Sequence, residues 1–575
     1  MILKELLCKC EISFRYLNFL NTLDSSGRPE IVKEISISFV WKAVRKRKGL
    51  KMSDTKKERE NKRFSRRDFI RNTGLLAGSA ALGATFLTGC NSEPASAGNN
   101  GTASQSWDHE TDVVVIGFGA GGAATAITAA DAGAKVLLIE KAAKGEEGGN
   151  TKYSGQGIMG TDNADELFKY VKAMSGLFTH TISDEIIRAF ADGAKENREW
   201  LISLGANADV LDEGMGGSGK PWIWNEYPEL PGSDHCICWL VSGKNFDGAF
   251  YQLLHDNVEK RADKIEVWYD SPGSHLIQDP ETRAILGVQV VKSGKVLNVR
   301  ANNGVVLACG GFENNEEMLA NFTQQPYFYP YGALYNTGDG IKMAQEVKAK
   351  LWHMSNCAGW LWGFMPPDAK RCKTVTPQKG IMVGPNARRF MNEAQTNRHG
   401  RINFGGRWVN MPVPLPTWYI VDSTQVAANK LVSSFSAGNA EEIAKGWIIK
   451  ADTVEELAKA CELDAKTLQE TLDEWNASCT QGADALFGRS GASLLPVATA
   501  PYYAMKLGPT MYNTQGGPER NSKAEVLDLD GNPIPHLYSC GECGAMWPDM
   551  YNGGGNLGEA AVFGRIAGKN IAALQ

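Results

Sequence analysis

The chain has 575 residues, 43% of them hydrophobic and 22% charged, and its 60 basic and 65 acidic side chains give a formal net charge of -5. This is the composition of a globular protein with room for more than one domain. It excludes a small disulfide-stapled fold, a disordered chain and a basic nucleic-acid binder. Glycine is in excess at 62 residues, which indicates loops that approach a ligand closely or adopt positive φ.

The N-terminal region has the order of an export signal. Residues 42–71 are rich in Lys and Arg and contain Ser65-Arg66-Arg67-Asp68-Phe69-Ile70, and the uncharged run from Gly74 to Gly89 leads into Cys90. That run is too short and too rich in glycine and serine to span a membrane. The twin arginines and the lipobox-like Leu87-Thr88-Gly89-Cys90 therefore predict a twin-arginine signal with a lipid anchor at Cys90.

These motifs set the N-terminal boundaries. We expect residues 1–51 to lie outside the natural precursor, because Met52 offers an alternative start. Residues 52–90 are then the signal, and the Ser/Gly/Asn/Ala-rich segment 91–106 is a flexible tether. The folded body begins near residue 107, and we expect the protein at the extracytoplasmic face of a bacterial cell membrane.

A strand–turn–helix–strand unit follows the tether. The apolar run 112–116 predicts a buried strand, the Ala-rich run 123–132 a helix and the run 135–139 a second strand. A glycine-rich turn with the spacing of a dinucleotide fingerprint joins the first strand to the helix, formed by Gly117, Gly119, Ala120, Gly121 and Gly122. In such a unit the helix N-terminus binds a pyrophosphate. Glu140, after the second strand, is placed to bind a ribose. The fingerprint does not distinguish FAD from NAD.

Further segments resemble the flavoprotein superfamily of fumarate reductases, succinate dehydrogenase flavoprotein subunits and 3-ketosteroid dehydrogenases. They follow the family's order over residues 107–575, and the resemblance implies FAD as the cofactor. The segments that carry it are Gly148-Gly149-Asn150-Thr151, Ser154-Gly155-Gln156-Gly157, Val305 to Phe312, Thr337-Gly338-Asp339-Gly340, Arg389 to Glu393, Pro501 to Ala504, Gly541-Glu542 and Asn556 to Glu559.

The resemblance also implies the fold class. This is an α/β fold with a Rossmann-type FAD-binding domain that carries an inserted β-meander, and a separate α+β capping domain. The FAD-binding domain would comprise 107–350 and 501–575, and the capping or substrate domain 351–500. Two sequence features agree: short β-rich runs between 265 and 308, and a capping box, Thr453-x-x-Glu456, that opens a helix-spaced apolar series.

Cofactor contacts come from the same resemblance. The implied FAD-binding residues outside the fingerprint are Lys141, Gly149, Asn150, Thr151, Ser154, Gly155, Gly310, Asp339, Gly541, Glu542, Asn556 and Leu557. The last helix, which begins near Asn556, would direct its positive N-terminal end at the flavin. A helix dipole in that orientation favours negative charge on the reduced ring.

The implied chemistry is hydride transfer between flavin N5 and a C=C bond conjugated to a carbonyl or carboxylate. Export and the lack of a second dinucleotide fingerprint argue against a nicotinamide donor. The sequence also has no C-x-x-C-H haem attachment motif. We therefore expect electrons from a separate donor protein, cytochrome- or quinol-linked, and a small unsaturated substrate.

Three side chains are candidates for contact with the substrate. Fumarate reductases hold the two carboxylates of their substrate with Arg and His side chains. The corresponding segments of this chain, 512–517 and 551–556, contain neither residue type. Fumarate is therefore not the expected substrate, and a bulkier one is. The Tyr551-x-Gly-x-Gly spacing resembles ketosteroid dehydrogenases, in which a tyrosine hydroxyl polarises a ketone oxygen. Tyr512 is a second candidate, and Arg398 rather than Arg401 is the candidate for the family's proton-donating arginine. Packing or solvated roles remain the alternative for all three.

The histidines, cysteines and tryptophans do not decide which reaction the protein catalyses. The histidines predict no metal cluster, Cys540-x-x-Cys543 is interpreted as structural, and several tryptophans either form core or line a cleft for a broad, flat ligand. The predicted function is an exported FAD-dependent reductase of a conjugated C=C bond. The alternatives are a ketosteroid-type desaturase and a non-catalytic flavin electron-transfer lipoprotein.

Overall fold

The computed structural model describes residues 106–177, 182–395 and 398–574. The predicted export signal, its Cys90 and the tether as far as residue 105 lie outside these residues. Within the described ranges, no helix is both long and apolar enough to cross a membrane.

Fourteen α-helices occur in the described residues, and most begin at a polar or glycine N-cap. They are α1 (Ala120–Asp131), α2 (Gly149–Tyr153), α3 (Ala164–Ser175), α4 (Asp184–Lys195), α5 (Asn197–Ser203), α6 (Ala208–Glu213), α7 (Ala249–Glu259), α8 (Glu316–Thr323), α9 (Asp339–Glu346), α10 (Ser423–Ala428), α11 (Ala440–Ala444), α12 (Val454–Ala460), α13 (Ala465–Gln481) and α14 (Gly555–Ala572). Short 3-10 turns cover Ser233–His235, Ala437–Asn439 and Gly491–Ser493.

The strands of the described residues range from two residues to thirteen. They are β1 (His109–Ile116), β2 (Val136–Ile139), β3 (Ile158–Gly160), β4 (Trp222–Ile223), β5 (Ile237–Trp239), β6 (Ile265–Trp268), β7 (Gly273–Gln278), β8 (Ile285–Lys292), β9 (Lys295–Leu307), β10 (Leu351–Trp352), β11 (Cys357–Ala358), β12 (Leu361–Phe364), β13 (Lys373–Val375), β14 (Ile381–Val383), β15 (Arg401–Phe404), β16 (Arg407–Asn410), β17 (Thr417–Asp422), β18 (Ile449–Ala451), β19 (Tyr502–Thr510), β20 (Asn513–Thr514), β21 (Gly517–Pro518), β22 (Glu525–Leu527) and β23 (Pro533–Ser539).

The larger sheet is mostly parallel and has β1 at its centre. Its order is β22-β23-β9-β1-β2-β6, with β1 parallel to β2 and β9, and with β23 parallel to β9. Strands β7, β8 and the first half of β9 form the antiparallel meander. The second half of β9 belongs to the parallel core. Apolar side chains pack on both faces of β1, which explains the uninterrupted apolar run of its sequence.

Helices α1 and α14 pack together on one face of this sheet. A Cβ atom at Gly564 would lie 2.7 Å from the backbone oxygen of Gly121, and one at Gly568 would lie 2.7 Å from that of Thr125. Only glycine therefore allows this close approach. The last helix thus lies against the glycine fingerprint, and the two ends of the described chain build one domain.

The second sheet is antiparallel and has the order β13-β12-β19-β17-β14, with β18 also paired to β19. Helices α12 and α13 cover it with Leu457, Leu468, Leu472 and Trp475. Half of the predicted capping box forms at α12, where the Thr453 hydroxyl accepts the Glu456 N–H at 3.1 Å, while the Glu456 carboxylate accepts the N–H of Asp452 instead of that of Thr453. The predicted α/β fold class with a Rossmann-type domain, an inserted meander and an α+β cap is confirmed.

One predicted boundary differs from the strand pairing. Residues 501–575 were expected to return as a whole to the FAD-binding domain. However, β19 (Tyr502–Thr510) is the central strand of the second sheet and pairs with β12, β17 and β18. Strand pairing joins segments far apart in sequence, so the motif at Pro501 could not reveal the partner of the strand it begins.

Candidate active site

The glycine fingerprint lies between the end of β1 and the start of α1. Gly117 has φ +107°, and a Cβ atom there would lie 2.3 Å from the Ala308 oxygen. A Cβ atom at Gly122 would lie 1.9 Å from the Gly117 oxygen. The N-cap Gly119 has no side chain to accept the first-turn N–H groups of α1, and of these the N–H of Ala120 donates to Thr151 Oγ1 at 3.0 Å. The turn therefore leaves backbone N–H groups facing a cleft, which suits the pyrophosphate of a dinucleotide.

Two charged side chains mark the end of this cleft beside β2. The Glu140 carboxylate accepts the N–H groups of Phe118 at 2.8 Å and Ala142 at 2.7 Å, and burial raises the pKa of this carboxyl. Lys141 Nζ donates to Thr337 Oγ1 at 2.6 Å and pairs with Asp339 at 2.8 Å. The Lys141–Asp339 pair thereby ties β2 to the start of α9.

The cleft brings together nearly all the predicted cofactor residues. Those that line it are Gly117, Gly119, Ala120, Gly121, Glu140, Lys141, Gly149, Asn150, Thr151, Gly310, Asp339, Gly541, Glu542, Asn556 and Leu557. Gly122 instead packs against the turn. Ser154 and Gly155 line a neighbouring cavity.

Two buried carboxyl groups lie close together beside the cleft, and one of them, Glu542, lines it. The Asn150 side-chain amide donates to Glu313 at 2.6 Å and to Glu542 at 3.1 Å, and Asn336 donates to Glu313 at 2.7 Å. Burial raises the pKa of Glu313 to about 7, and burial together with the neighbouring Glu313 raises that of Glu542 well above its usual value. Two acids held by the same amides retain protons that exposed carboxyls would lose.

A second cavity of about 660 Å³ opens beside the cleft, a volume typical of a small-molecule site. Asn150, Thr151, Glu542, Asn556 and Leu557 line both. These five shared residues form the wall at which the cleft and the cavity meet, where a group bound in the cleft would be next to a ligand in the cavity. All three predicted catalytic candidates, Arg398, Tyr512 and Tyr551, line the second cavity.

Tyr551 lies at the N-terminus of α14. Its hydroxyl oxygen accepts the N–H of Asn556 at 3.3 Å, and its ring packs edge-on against His399 with centroids 4.6 Å apart. Burial raises the pKa of Tyr551 above its usual value, so the hydroxyl keeps its proton at neutral pH. The O–H of Tyr551 has no acceptor among the described residues, so its proton can be donated to a substrate oxygen in the cavity.

The two arginines after the Asn392-Glu393 motif have different surroundings. Arg398 pairs with Glu229 at 2.8 Å and lies over the rings of Tyr227 and Trp408. Arg401 is 1% exposed and donates to Asn356 at 2.8 Å. Arg398 therefore borders the cavity, whereas Arg401 lies in the protein interior.

Sequence reasoning missed two residues of this cavity, Glu226 and His399. Glu226 Oε2 lies 2.7 Å from His399 Nε2, although the residues are 173 positions apart. The backbone N–H of Gly359 donates to His399 Nδ1 at 2.7 Å. Neither residue belongs to a motif, and the only available signal was that His399 directly follows Arg398.

Asn552 joins the segment around Glu226 to the start of α14. Its side-chain oxygen accepts from the Tyr170 hydroxyl at 2.6 Å and from the Glu226 N–H at 2.9 Å, and its amide donates to the Trp224 oxygen at 2.8 Å. Asn552 is fully buried. It therefore holds Trp224 and Glu226 against the Tyr551 segment.

Comparison with known proteins agrees with this geometry. The FAD binding domain family matches residues 112–557. The chain belongs to this family. The protein is 29% identical to the digoxin reductase of Eggerthella lenta over 89% of this chain and 97% of that protein. It is 28% identical to the urocanate reductase of the same species over 81% of this chain and 75% of the relative.

A solved structure shows the same fold. The 3-ketosteroid delta1-dehydrogenase of Sterolibacterium denitrificans, in complex with 1,4-androstadiene-3,17-dione, superposes with a TM-score of 0.65 at 24% identity, covering 81% of this chain and all of that chain. Together with the family match and the fit of the cleft, these relatives make the protein an FAD-dependent oxidoreductase.

Proposed function

We propose that this protein is an exported reductase of a C=C bond conjugated to a carbonyl or carboxylate, and that it takes electrons from a separate cytochrome- or quinol-linked donor. The observation that carries the proposal is the cavity that shares five residues with the FAD cleft and contains the Tyr551 hydroxyl. The digoxin and urocanate reductases support the direction of the reaction.

The cavity residues supply what the reaction needs besides the cofactor. FAD, when bound, supplies the hydride. Tyr551 donates a hydrogen bond to the carbonyl oxygen of the substrate and stabilises the negative charge that develops there, as oxyanion-hole donors do. Arg398 or Tyr512, both of which line the cavity, donates a proton to the other carbon of the C=C bond, the one next to the carbonyl.

Export is the part of the proposal that rests on sequence alone. The twin arginines at 66 and 67 precede the lipobox-like Cys90, and a protein exported in the folded state can carry FAD acquired in the cytoplasm. We expect the protein that starts at Met52 to fractionate with membranes and to incorporate a labelled fatty acid, and Cys90→Ala to lose that label. If both remain in the cytoplasm, export is excluded.

The reaction is tested with anaerobic holoprotein. The flavin is reduced with a low-potential viologen dye, and its reoxidation is followed after addition of enones, cinnamates or fumarate. Rapid reoxidation by one bulky conjugated class is expected. Reoxidation by none of them, with electrons still passing to an artificial acceptor, contradicts the reductase function and favours a flavin electron carrier.

A ketosteroid-type desaturase is the second candidate. The Tyr551-x-Gly553-x-Gly555 spacing and the fold shared with a 3-ketosteroid delta1-dehydrogenase favour it. The oxidised holoprotein distinguishes the two directions, because a desaturase bleaches its flavin when saturated ketones are added and a reductase does not.

A further inference from the structure

One carboxylate of the substrate cavity lacks a cationic partner. Among the described residues, the lining includes Glu226, Glu542, Arg398 and His399, and the raised pKa of Glu542 favours its neutral form. Arg398 is already paired with Glu229 at 2.8 Å, and this partner is half exposed. The cavity therefore has one compensated cation and one acid, Glu226, that no Lys or Arg of the described residues pairs with, which is the wrong balance for a substrate that carries carboxylates.

The histidine beside Glu226 is neutral. His399 Nδ1 accepts the N–H of Gly359, and a ring nitrogen that accepts a hydrogen bond carries no proton. The ring proton is therefore on Nε2, which faces Glu226 Oε2 at 2.7 Å. Since a neutral imidazole does not cancel the charge of a carboxylate, Glu226 brings a negative charge to the cavity.

The second oxygen of Glu226 has capacity for a ligand. Glu226 Oε2 is used by His399, and Oε1 has no hydrogen-bond partner among the described residues, while the side chain is 23% exposed and Glu226 lines the cavity. The Glu226 backbone is held by Asn552 at 2.9 Å. Oε1 is thus a positioned acceptor that suits an O–H or N–H donor on the ligand.

An aromatic wall lies next to this acceptor. The rings of Trp222 and Trp224 are stacked with centroids 4.5 Å apart and planes 19° apart, and both line the cavity. A Cβ atom at Gly553 would lie 2.2 Å from the Trp224 ring, so the glycine allows this ring to sit against the start of α14. A flat wall of this kind favours a planar, largely apolar ligand.

We infer that the cavity selects an uncharged, planar aryl enone whose hydroxyl or N–H group donates to Glu226 Oε1, and that Glu226 excludes substrates carrying a carboxylate. This inference rests on the proposed reductase function, because it names the substrate class of the same cavity. The carbonyl of such a ligand would meet the Tyr551 hydroxyl, and its ring would lie on Trp222 and Trp224.

Three matched ligands test separately the hydrogen bond from a ligand hydroxyl to Glu226 and the exclusion of carboxylates. The first is 4-hydroxybenzalacetone, the second is benzalacetone without the hydroxyl, and the third is 4-hydroxycinnamate, in which a carboxylate replaces the methyl ketone. Dissociation constants are measured on the oxidised holoprotein from changes in flavin absorbance, at slightly acidic pH where the phenol is neutral. Sites that bind a substrate hydroxyl discriminate strongly against analogues that lack it.

The central variant is Glu226→Gln. Because His399 Nε2–H requires an acceptor, the amide oxygen must face the histidine, and the amide N–H₂ must then face the cavity. We expect wild type to bind 4-hydroxybenzalacetone at least about tenfold more tightly than either other ligand. The variant should lose the hydroxyl preference, so that 4-hydroxybenzalacetone binds about tenfold more weakly and benzalacetone is unchanged. Binding of 4-hydroxycinnamate should stay about the same, because relief of the carboxylate repulsion offsets the lost hydroxyl contact.

Glu229→Gln is the matched control, because it removes a carboxylate near the cavity but leaves Glu226 in place. It should improve binding of 4-hydroxycinnamate by releasing Arg398, and it should keep the hydroxyl preference. Equal weakening of all three ligands by Glu226→Gln, or tight binding of 4-hydroxycinnamate to wild type, would overturn the inference.

The binding assay also separates this inference from the proposed function. If reduced enzyme is reoxidised by conjugated ligands but shows none of these preferences, the reductase function stands and the substrate class is wrong. If the hydroxylated enone binds selectively but never reoxidises the reduced flavin, the cavity assignment stands and the reductase function fails.

Discussion

Tyr551 is the single side chain on which the proposed chemistry depends most. Tyr551→Phe removes the hydroxyl that accepts the Asn556 N–H at 3.3 Å but keeps the ring that packs against His399 and Trp547. We expect kcat and kcat/KM to fall together by about 10²–10³-fold, as when one oxyanion-hole donor is lost. Single-turnover reoxidation of the reduced flavin measures this step directly.

The control for this variant is Tyr331→Phe. Tyr331 packs at a tilt against Tyr512, with centroids 4.9 Å apart, and lines the same cavity, but among the described residues its hydroxyl is not bonded to the start of α14. A smaller loss is expected, and the FAD content of both variants should match wild type. If Tyr551→Phe reacts at the wild-type rate, Tyr551 has only a packing role.

Glu313 predicts a pH dependence of stability. Burial raises its pKa in the folded protein to about 7, above an unfolded value near 4.5. The folded state therefore binds more protons than the unfolded state between these values, and its stability falls as pH rises from about 4.5 to about 7. A shift of this size corresponds to about 3 kcal/mol.

Glu313→Gln checks this dependence. The amide oxygen of the new side chain can still accept from Asn150 and Asn336, and it carries no titratable proton. Guanidinium unfolding of the holoprotein at several pH values should show that wild type loses stability relative to the variant as pH rises through this window. Parallel pH profiles for the two proteins would contradict the assignment.

The residue scale also shows where sequence reasoning reached its limit. Arg398 and Tyr551 were predictable because each lies near a motif that resembles a family pattern. Glu226 and His399 were not, because their chemistry comes from a contact between residues 173 positions apart. A single glutamate in a polar stretch has no local signal for such a contact.

At the scale of an element, the β1–α1 turn gives the clearest prediction for cofactor binding. Gly117→Ala places a Cβ atom 2.3 Å from the Ala308 oxygen at φ +107°. We expect the variant to lose bound FAD, because the turn must shift and misplace the N-terminus of α1. FAD content after purification and the affinity for added FAD are the measurements.

Gly133→Ala is the matched control for backbone strain. Gly133 has φ +101°, nearly the same as Gly117, but a Cβ atom there would meet nothing within 4 Å. Both variants incur the cost of positive φ in a residue with a side chain, and only Gly117→Ala adds the collision. Equal FAD loss in both would mean that strain, rather than the collision, determines binding.

Elements with a strong local pattern were predictable, and short elements were not. The buried strands β1 and β2 and the helix α1 have apolar runs of their own, and each forms as predicted. Strands β10, β11, β20 and β21 have two residues each and exist only through partners far along the chain. No periodicity can appear in two residues.

At the scale of the whole molecule, the sequence predicted only in part which segments of the chain build each of the two sheets. The union of both chain ends in the FAD-binding domain followed from the family resemblance and from the fingerprint. The place of β19 did not, because its antiparallel partners β12 and β17 precede it by many residues. A pairing between strands so far apart in the chain cannot be predicted from local sequence patterns and is seen only in the structure.

The cap contains a buried ion cluster. Arg389 pairs with Glu393 at 2.7 Å and with Asp484 at 2.9 Å, and Arg489 pairs with Glu393 at 3.0 Å. Both guanidinium groups lie over the ring of Trp475, at 4.4 and 4.6 Å from its centroid. These side chains are almost fully buried, so each charge depends on its partners.

Glu393→Gln should therefore destabilise the protein by about 3–5 kcal/mol, because it leaves two buried arginines with one remaining carboxylate, Asp484. Glu470→Gln is the control, since Glu470 pairs with Arg388 while 44% exposed, and surface pairs contribute about 0–1 kcal/mol. Guanidinium unfolding of both holoproteins gives the comparison. Glu393 also accepts the Met382 N–H of β14 at 3.1 Å. The substitution should therefore weaken the second sheet as well and lower the melting temperature of the whole cap. Equal free energies of unfolding for the two variants would show that the buried arginines do not depend on Glu393.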